Sequence, residues 1–304
     1  MRTYTLAREE QKGVDDVSAL LKKLMLSSLI GVSIGSALFA PNAGAQEPAA
    51  KPKKVAVIAH RGASGYAPEN TMAAFEKALQ MKADYIELDV QMSKDGELVV
   101  IHDTTVNRTT DIGSVLPVAV KDLTLAELRK LDAGSYFGPQ FAGERIPTFE
   151  EVLDRYKGKI GMLIELKEPA RYPGIEEKVS AALKERRMDK PKNGKIIVQS
   201  FDFNSVYKIH QLLPSMPTGV LTSKAADLTD AKLKAFSGYA KYVNANLKNV
   251  ATDPTLVPRI HALGMKITPW TVRSRNEVPP LLKAGVDGIV TCLLYTSPSP
   301  RDRQ

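Results

Sequence analysis

The chain has 304 residues, room for one large domain or two small ones, and a single (β/α)8 barrel of ~250 residues would fit with a tail to spare. Hydrophobic residues make up 43% and charged residues 25%, which excludes wholesale disorder. The net charge of +8 suits an anionic substrate or surface, but no Lys/Arg-rich run interleaves with aromatics, so nucleic acid is not expected as a partner; the one cysteine, Cys292, allows neither an internal disulfide nor a Cys-based zinc site.

In chain order, Lys22 and Lys23 precede an uncharged stretch over 24–40, and Ala43-Gly44-Ala45 follows. That is the order of a secretory signal, with cleavage expected after Ala45. The stretch is short for a stable span of ~20 residues, so an uncleaved anchor is the lesser alternative. Export is therefore expected, to the periplasm, with secretion as the alternative. The polar leader before the lysines is unusually long for a signal, which suggests a true start downstream of Met1. Residues 46–54 read as a linker rich in Ala, Pro and Lys.

From Val55 the sequence alternates between short apolar runs and helical patterns, which predicts βα units around a parallel sheet. Strands are expected at 55–59, 85–89, 98–102, 162–166, 196–200, 218–221, 242–245, 266–270 and 288–291. Nine candidates thus compete for the eight places of a TIM-type (β/α)8 barrel. The turn signal at Ser93-Lys94-Asp95-Gly96 leaves no room for a helix between the second and third. Helices are expected at about 70–82, 148–157, 173–187, 203–213, 229–236, 254–263 and 274–284, the first capped by Asn70 or Glu69 after Pro68. Residues 104–147 are polar and glycine-bearing, with one helix near 124–131. They read as an excursion after the third strand, on the face where barrel sites are built.

Several strands end in polar residues, where packing alone would not place them. The first ends in His60-Arg61-Gly62, the second carries Glu87 and Asp89, and the third ends in His102-Asp103. The fourth carries Glu165 and Lys167, and the eighth candidate ends in Trp270. Glu87 and Asp89, two apart on a strand, point to one face. Glu165 on a neighbouring strand can join them. Three converging carboxylates suit a hard cation with oxygen ligands, Mg²⁺ or Ca²⁺. The alternative is a plain ion-pair network with Lys167 and Arg61. Two strand-end histidines, His60 and His102, can serve as base and acid for phosphodiester hydrolysis near neutral pH. Either one alone would read as a hydrogen-bonded structural residue, which is the reading kept for His210 and His261. Arg61 offers a planar fork and Lys167 a point charge to phosphate oxygens. Trp270 could wall a small polyol or simply fill the core, and Phe201 shares that ambiguity.

Together these residues form motifs: A-H-R-G at 59–62, P-E-N-T at 68–71, I-E-L-D-V at 86–90, S-K-D-G at 93–96, V-I-H-D at 100–103, I-E-L-K at 164–167, Q-S-F-D at 199–202 and W-T-V at 270–272. In this order, over 55–291, the chain resembles the glycerophosphodiester phosphodiesterase family. The resemblance implies a barrel enzyme that releases glycerol 3-phosphate and an alcohol from glycerophosphodiesters. It implies His60 and His102 as the catalytic pair with Arg61 on the phosphate. Glu87, Asp89 and Glu165 would be the ligands of one divalent cation, and Lys167 and Trp270 would border the substrate. The leader tilts the metal toward Ca²⁺, which exported members often use. The family usually continues with an Asp after Thr291, whereas here Cys292 opens a stretch to Gln304 that reads as a translated sequencing adapter. Rival readings are a lysophospholipase D-like or sphingomyelinase D-like phosphodiesterase on the same barrel, or a non-catalytic exported binding protein for phosphorylated polyols.

Overall fold

The computed structural model describes residues 54–190 and 195–294; the leader and signal segment, most of the linker and the tail beyond Leu294 lie outside them. Among the described residues eight strands are formed: β1 Ala56–Ala59, β2 Tyr85–Met92, β3 Leu98–Val100, β4 Gly161–Leu166, β5 Ile196–Ser200, β6 Thr218–Thr222, β7 Tyr242–Ala245 and β8 Gly288–Thr291. The parallel sheet runs β7-β6-β5-β4-β2-β1-β8. The expected strand at 266–270 is not a regular one. It touches its neighbours through isolated parallel bridges, Tyr242 with Lys266, Asn246 with Trp270, and Val272 with Thr291. Pro269 lies in its middle and has no N–H to give a ladder. Even so, this segment lies between β7 and β8, so β1, β2, β4 to β8 and residues 266–272 supply the eight staves of a (β/α)8 barrel.

The ninth candidate is β3, which pairs antiparallel with β2, Val90 opposite Val100 and Met92 opposite Leu98. The turn between them closes with Gly96 N–H on Ser93 C=O, Gly96 taking φ of 85°. The hairpin brings the chain back beside the carboxylates of β2: Ile101 N–H donates to Asp89 C=O at 3.0 Å. His102 arrives in the barrel mouth this way, and not as the end of a barrel strand.

Alternation within the strands sorts two cores. Ile86, Leu88, Ile164 and Val198 face outward onto Phe75, Leu153, Val179 and Ile209 of the surrounding helices. Their alternates Ile58, Leu163, Ile197 and Val290 fill the barrel interior. Continuous burial of β4 on both faces is what a covered parallel strand requires. One step further along the same inward rows come His60, Asp89, Glu165 and Gln199. The polar mouth therefore rests on an apolar plug.

The helices that cover the barrel are α1 Met72–Gln80, α3 Phe149–Tyr156, α4 Ile175–Glu185, α5 Phe203–Leu212, α6 Asp230–Phe236, α8 Leu256–Ala262 and α9 Val278–Ala284. A short α7, Leu247–Thr252, was not expected. The first helix is capped by Thr71, whose Oγ1 accepts from Ala74 N–H, and not by Asn70 or Glu69. Among the described residues no helix is long and apolar enough to cross a membrane.

The excursion is ordered by a small core of its own, Val99, Ile101, Val106, Val120, Leu128 and Ile146 among its members. Within it α2 spans only Leu125–Leu128, closed by a Thr124–Glu127 capping box. Asp132 holds the glycine-bearing stretch, its carboxylate accepting from the N–H groups of Gly134, Ser135 and Gly143 at 2.7–2.8 Å. These backbone donors hold its carboxyl below the usual carboxylate range.

Candidate active site

Glu87, Asp89 and Glu165 are all buried, and each offers an oxygen within 4.8 Å of the others. The register explains why: Asp89 and Glu165 are direct partners across β2 and β4, and Glu87 is two residues behind Asp89 on the same face. Arg61 N–H donates to Glu87 Oε2 at 2.7 Å. Asn70 Nδ2 donates to Asp89 Oδ2 at 2.8 Å, and Lys167 Nζ to Glu165 Oε1 at 2.9 Å. Arg61 Nε lies 3.6 Å from Asp89 Oδ2, and Lys167 Nζ 4.0 Å from Asp89 Oδ1.

The ion-pair partners expected from the sequence are thus present, but they do not complete the cluster. Two cations face three carboxylates. Asp89 Oδ1 is buried with no hydrogen-bond partner among the described residues, as is Arg61 Nε. A buried anionic oxygen without a donor is costly, and a bound cation is the chemical remedy. The donor set is all oxygen, as Mg²⁺ and Ca²⁺ prefer. Burial, together with Asp89 and Glu165, pushes the Glu87 carboxyl well above its usual range. Burial and Asp89 push Glu165 up as well. Burial also opposes ionisation of Asp89, yet His102, Arg61 and Lys167 hold it below its usual value. A divalent cation would keep all three ionised.

His60 and His102 line the same cavity of ≈ 240 Å³, with Arg61, Glu87, Glu165, Lys167 and Trp270. His102 Nδ1 lies 2.7 Å from Asp103 Oδ1. Hydrogen bonds from Arg108 hold the Asp103 carboxyl below its usual range, with His102 adding to the effect. Asp103 is therefore an acceptor, His102 Nδ1 carries the proton, and Nε2 keeps its lone pair. His60 has no such carboxylate: its Nδ1 lies 3.2 Å from Cys292 Sγ. Burial and then Arg61 lower the His60 pKa to about 3, and burial lowers that of His102. Both rings are neutral at pH 7 in this charge environment.

Trp270 packs on the barrel interior and lines the cavity as well. Its Nε1 donates to Asn244 C=O at 2.7 Å, and its ring meets Phe201 edge-on at 5.4 Å as a wall of the cavity. His261 is tied to Asp287 at 2.9 Å, away from the mouth.

Sequence reasoning passed over several residues that shape this site. Asn70, a candidate cap in the sequence, instead pairs with Asp89, its Nδ2 donating to the carboxylate and its Oδ1 accepting from the Asp89 N–H. Glu69 bonds Arg61 and Arg108. Gln91 continues the inward row of Glu87 and Asp89, and that period of two was the available signal. Its Nε2 donates to the C=O groups of Ile101, His102 and Asp103 at 2.7, 3.1 and 2.8 Å, while Tyr172 Oη–H donates to its Oε1 at 2.6 Å. Gln91 thus clamps the backbone that carries His102. Truncating Gln91 to Ala leaves buried carbonyls and the Tyr172 hydroxyl without partners, at about 1–3 kcal/mol per lost buried partner. We expect Gln91→Ala to lower both the unfolding midpoint in urea and kcat. Wild-type values of both would show that the clamp is idle.

The glycerophosphoryl diester phosphodiesterase family model matches residues 60–291. YhdW of Bacillus subtilis is 50% identical over 236 residues, covering 77% of this chain and 93% of its own. A glycerophosphodiester phosphodiesterase from the same organism is 42% identical over 253 residues, covering 79% of this chain and 84% of its own. Among solved structures, an Oleispira antarctica phosphodiesterase in complex with the product sn-glycerol-3-phosphate superposes with a TM-score of 0.68 at 30% identity, covering 79% of this chain and 93% of that one. A barrel mouth with two imidazoles, a buried acidic triad and this degree of kinship leaves one assignment: the chain belongs to the glycerophosphoryl diester phosphodiesterase family.

Proposed function

We propose that this enzyme hydrolyses glycerophosphodiesters to glycerol 3-phosphate and an alcohol, with one divalent cation at Glu87, Asp89 and Glu165 and with His60 and His102 as its acid/base pair. The observation that carries the reading is the meeting of both imidazoles with Glu87 and Glu165 in one cavity, with the buried Asp89 completing the acidic cluster and its Oδ1 left for a cation. The product-bound Oleispira antarctica relative supports the substrate class. A bound hard cation would supply charge neutralisation at the phosphoryl oxygens. Arg61 and Lys167 add donors to those oxygens, a fork and a point charge, where negative charge grows as the nucleophile attacks. His102, with its proton on Nδ1 held by Asp103, presents Nε2 to accept a proton from an oxygen nucleophile, and the imidazolium formed is stabilised by the same carboxylate. His60, lining the same cavity, is the group left to protonate the departing alkoxide; the anionic phosphodiester, once bound beside it, would favour the imidazolium form that this role requires. Trp270 and Phe201 give the glycerol carbons an apolar wall. Turnover of sn-glycero-3-phosphocholine, alongside a lysophospholipid, tests the reaction. Release of choline with glycerol 3-phosphate is expected, and preference for the lysophospholipid would move the enzyme to the rival class.

Export is part of the same reading, with Ca²⁺ as the favoured ion. It is supported by the uncharged run over 24–40 behind Lys22 and Lys23. N-terminal sequencing of protein from the periplasm should begin at Gln46, and intact protein in the cytoplasm would refute cleavage.

A further inference from the structure

Arg108 belongs to the excursion and does not line the catalytic cavity. Its guanidinium nevertheless serves two carboxylates at once. Nε and Nη2 donate to Asp103 at 2.6 and 2.9 Å, and Nη1 and Nη2 donate to Glu69 at 2.9 and 2.7 Å. Each carboxylate passes the contact inward. Asp103 accepts from His102, and Glu69 accepts from Arg61 Nη1 at 2.9 Å. The first loop, the excursion and the strand return are thus linked in one chain, His102–Asp103–Arg108–Glu69–Arg61. Tyr136 Oη, also from the excursion, accepts from Glu69 N–H at 3.1 Å beside it.

We propose that Arg108 is a positioning residue for catalysis, fixing the proton-handling His102 and the phosphate-binding Arg61 relative to each other through their two carboxylates. The inference rests on the acid/base reading above. Without Arg108, Asp103 and Glu69 would face each other as like charges and separate. Asp103 would then turn the His102 ring, and Glu69 would draw Arg61 off Asp89. The Arg108 side chain is 47% exposed, so its pairs contribute little to folding. Its contribution is to alignment, where a small displacement costs catalysis disproportionately.

The test measures kcat, KM and thermal midpoint for Arg108→Gln, Arg108→Lys, Asp103→Asn and Asp103→Asn/Arg108→Gln on sn-glycero-3-phosphocholine, with His102→Ala as reference. Arg108→Gln is expected to lose about 10- to 100-fold in kcat, with the midpoint within a few degrees of wild type. Arg108→Lys should recover little, because an ammonium cannot match two planar carboxylates. The double variant should be no worse than its worse parent, since both act through one contact. A kcat within twofold of wild type in folded Arg108→Gln or Arg108→Lys, or multiplying losses in the double variant, overturns the inference. If Arg108→Gln does not fold, the kcat of Arg108→Lys decides by the same twofold limit. An active His102→Ala would instead overturn the acid/base reading itself.

Discussion

Replacing His102 by Ala is expected to reduce kcat by about 10²- to 10⁴-fold, the usual worth of a positioned acid or base, equivalent to about 3–5 kcal/mol of barrier. The fold should survive the change. The ring is 26% exposed, and its one close partner, Asp103, remains held by Arg108. The circular dichroism spectrum and thermal midpoint should therefore stay near wild type. KM should change less than kcat, because Arg61 and Lys167, the residues proposed to hold the phosphate, are untouched. His210, a half-buried residue of α5 remote from the cavity lining, is the matched control: His210→Ala should keep full turnover. Retention of more than half of wild-type kcat in a folded His102→Ala protein would sink the mechanism, whatever the substrate proves to be.

The legibility of this site followed the physics of its elements. Strand residues were readable because burial imposes period two. Glu87 and Asp89 could be placed on one face from spacing alone, and the register then put Asp89 opposite Glu165. The same rule extends to Gln91. Loop residues carry no such periodicity. Asn70 and Arg61 both adopt left-handed backbone, with φ of 56° each, which no propensity at those residues announces. Gly62 follows with φ of 78°, and a Cβ there would lie 2.7 Å from Ala74, so the close approach of this loop to α1 needs glycine. Glu69 and Arg108 meet across 39 positions of chain, and Arg108 looks like any solvated arginine until the excursion folds. The reading of β3 was incomplete for a related reason. An apolar run shows that a strand is buried but not which way it runs, and only the short turn at 93–96 hinted at the hairpin. At 266–270 the apolar pattern outweighed Pro269, which breaks the ladder.

Chelation gives the second large effect. Excess EDTA followed by removal of the chelate should bring turnover to about 1% or less of its starting value, since the cation is asked to supply several kcal/mol of charge stabilisation. Ca²⁺ or Mg²⁺ added back should restore it. The side chains argue for this on their own: burial, and then the neighbouring carboxylates, raise the pKa values of Glu87 and Glu165, and among the described residues Arg61 and Lys167 are the cations that face the three acids. Cation entry should therefore release protons, measurable as a buffer-dependent heat in calorimetry. It should also raise the unfolding midpoint, since an ion at 100 times its Kd adds ~2.7 kcal/mol to the folded state. Asp89→Asn removes one ligand charge but keeps an oxygen. It should weaken the ion's midpoint shift and lower turnover together, with activity partly recovered at high Ca²⁺. Ion-pair structure alone predicts the opposite pattern: EDTA without effect, and no proton release. Full turnover in protein shown metal-free by mass spectrometry would return the triad to Lys167 and Arg61 and leave the two imidazoles to act without a cation.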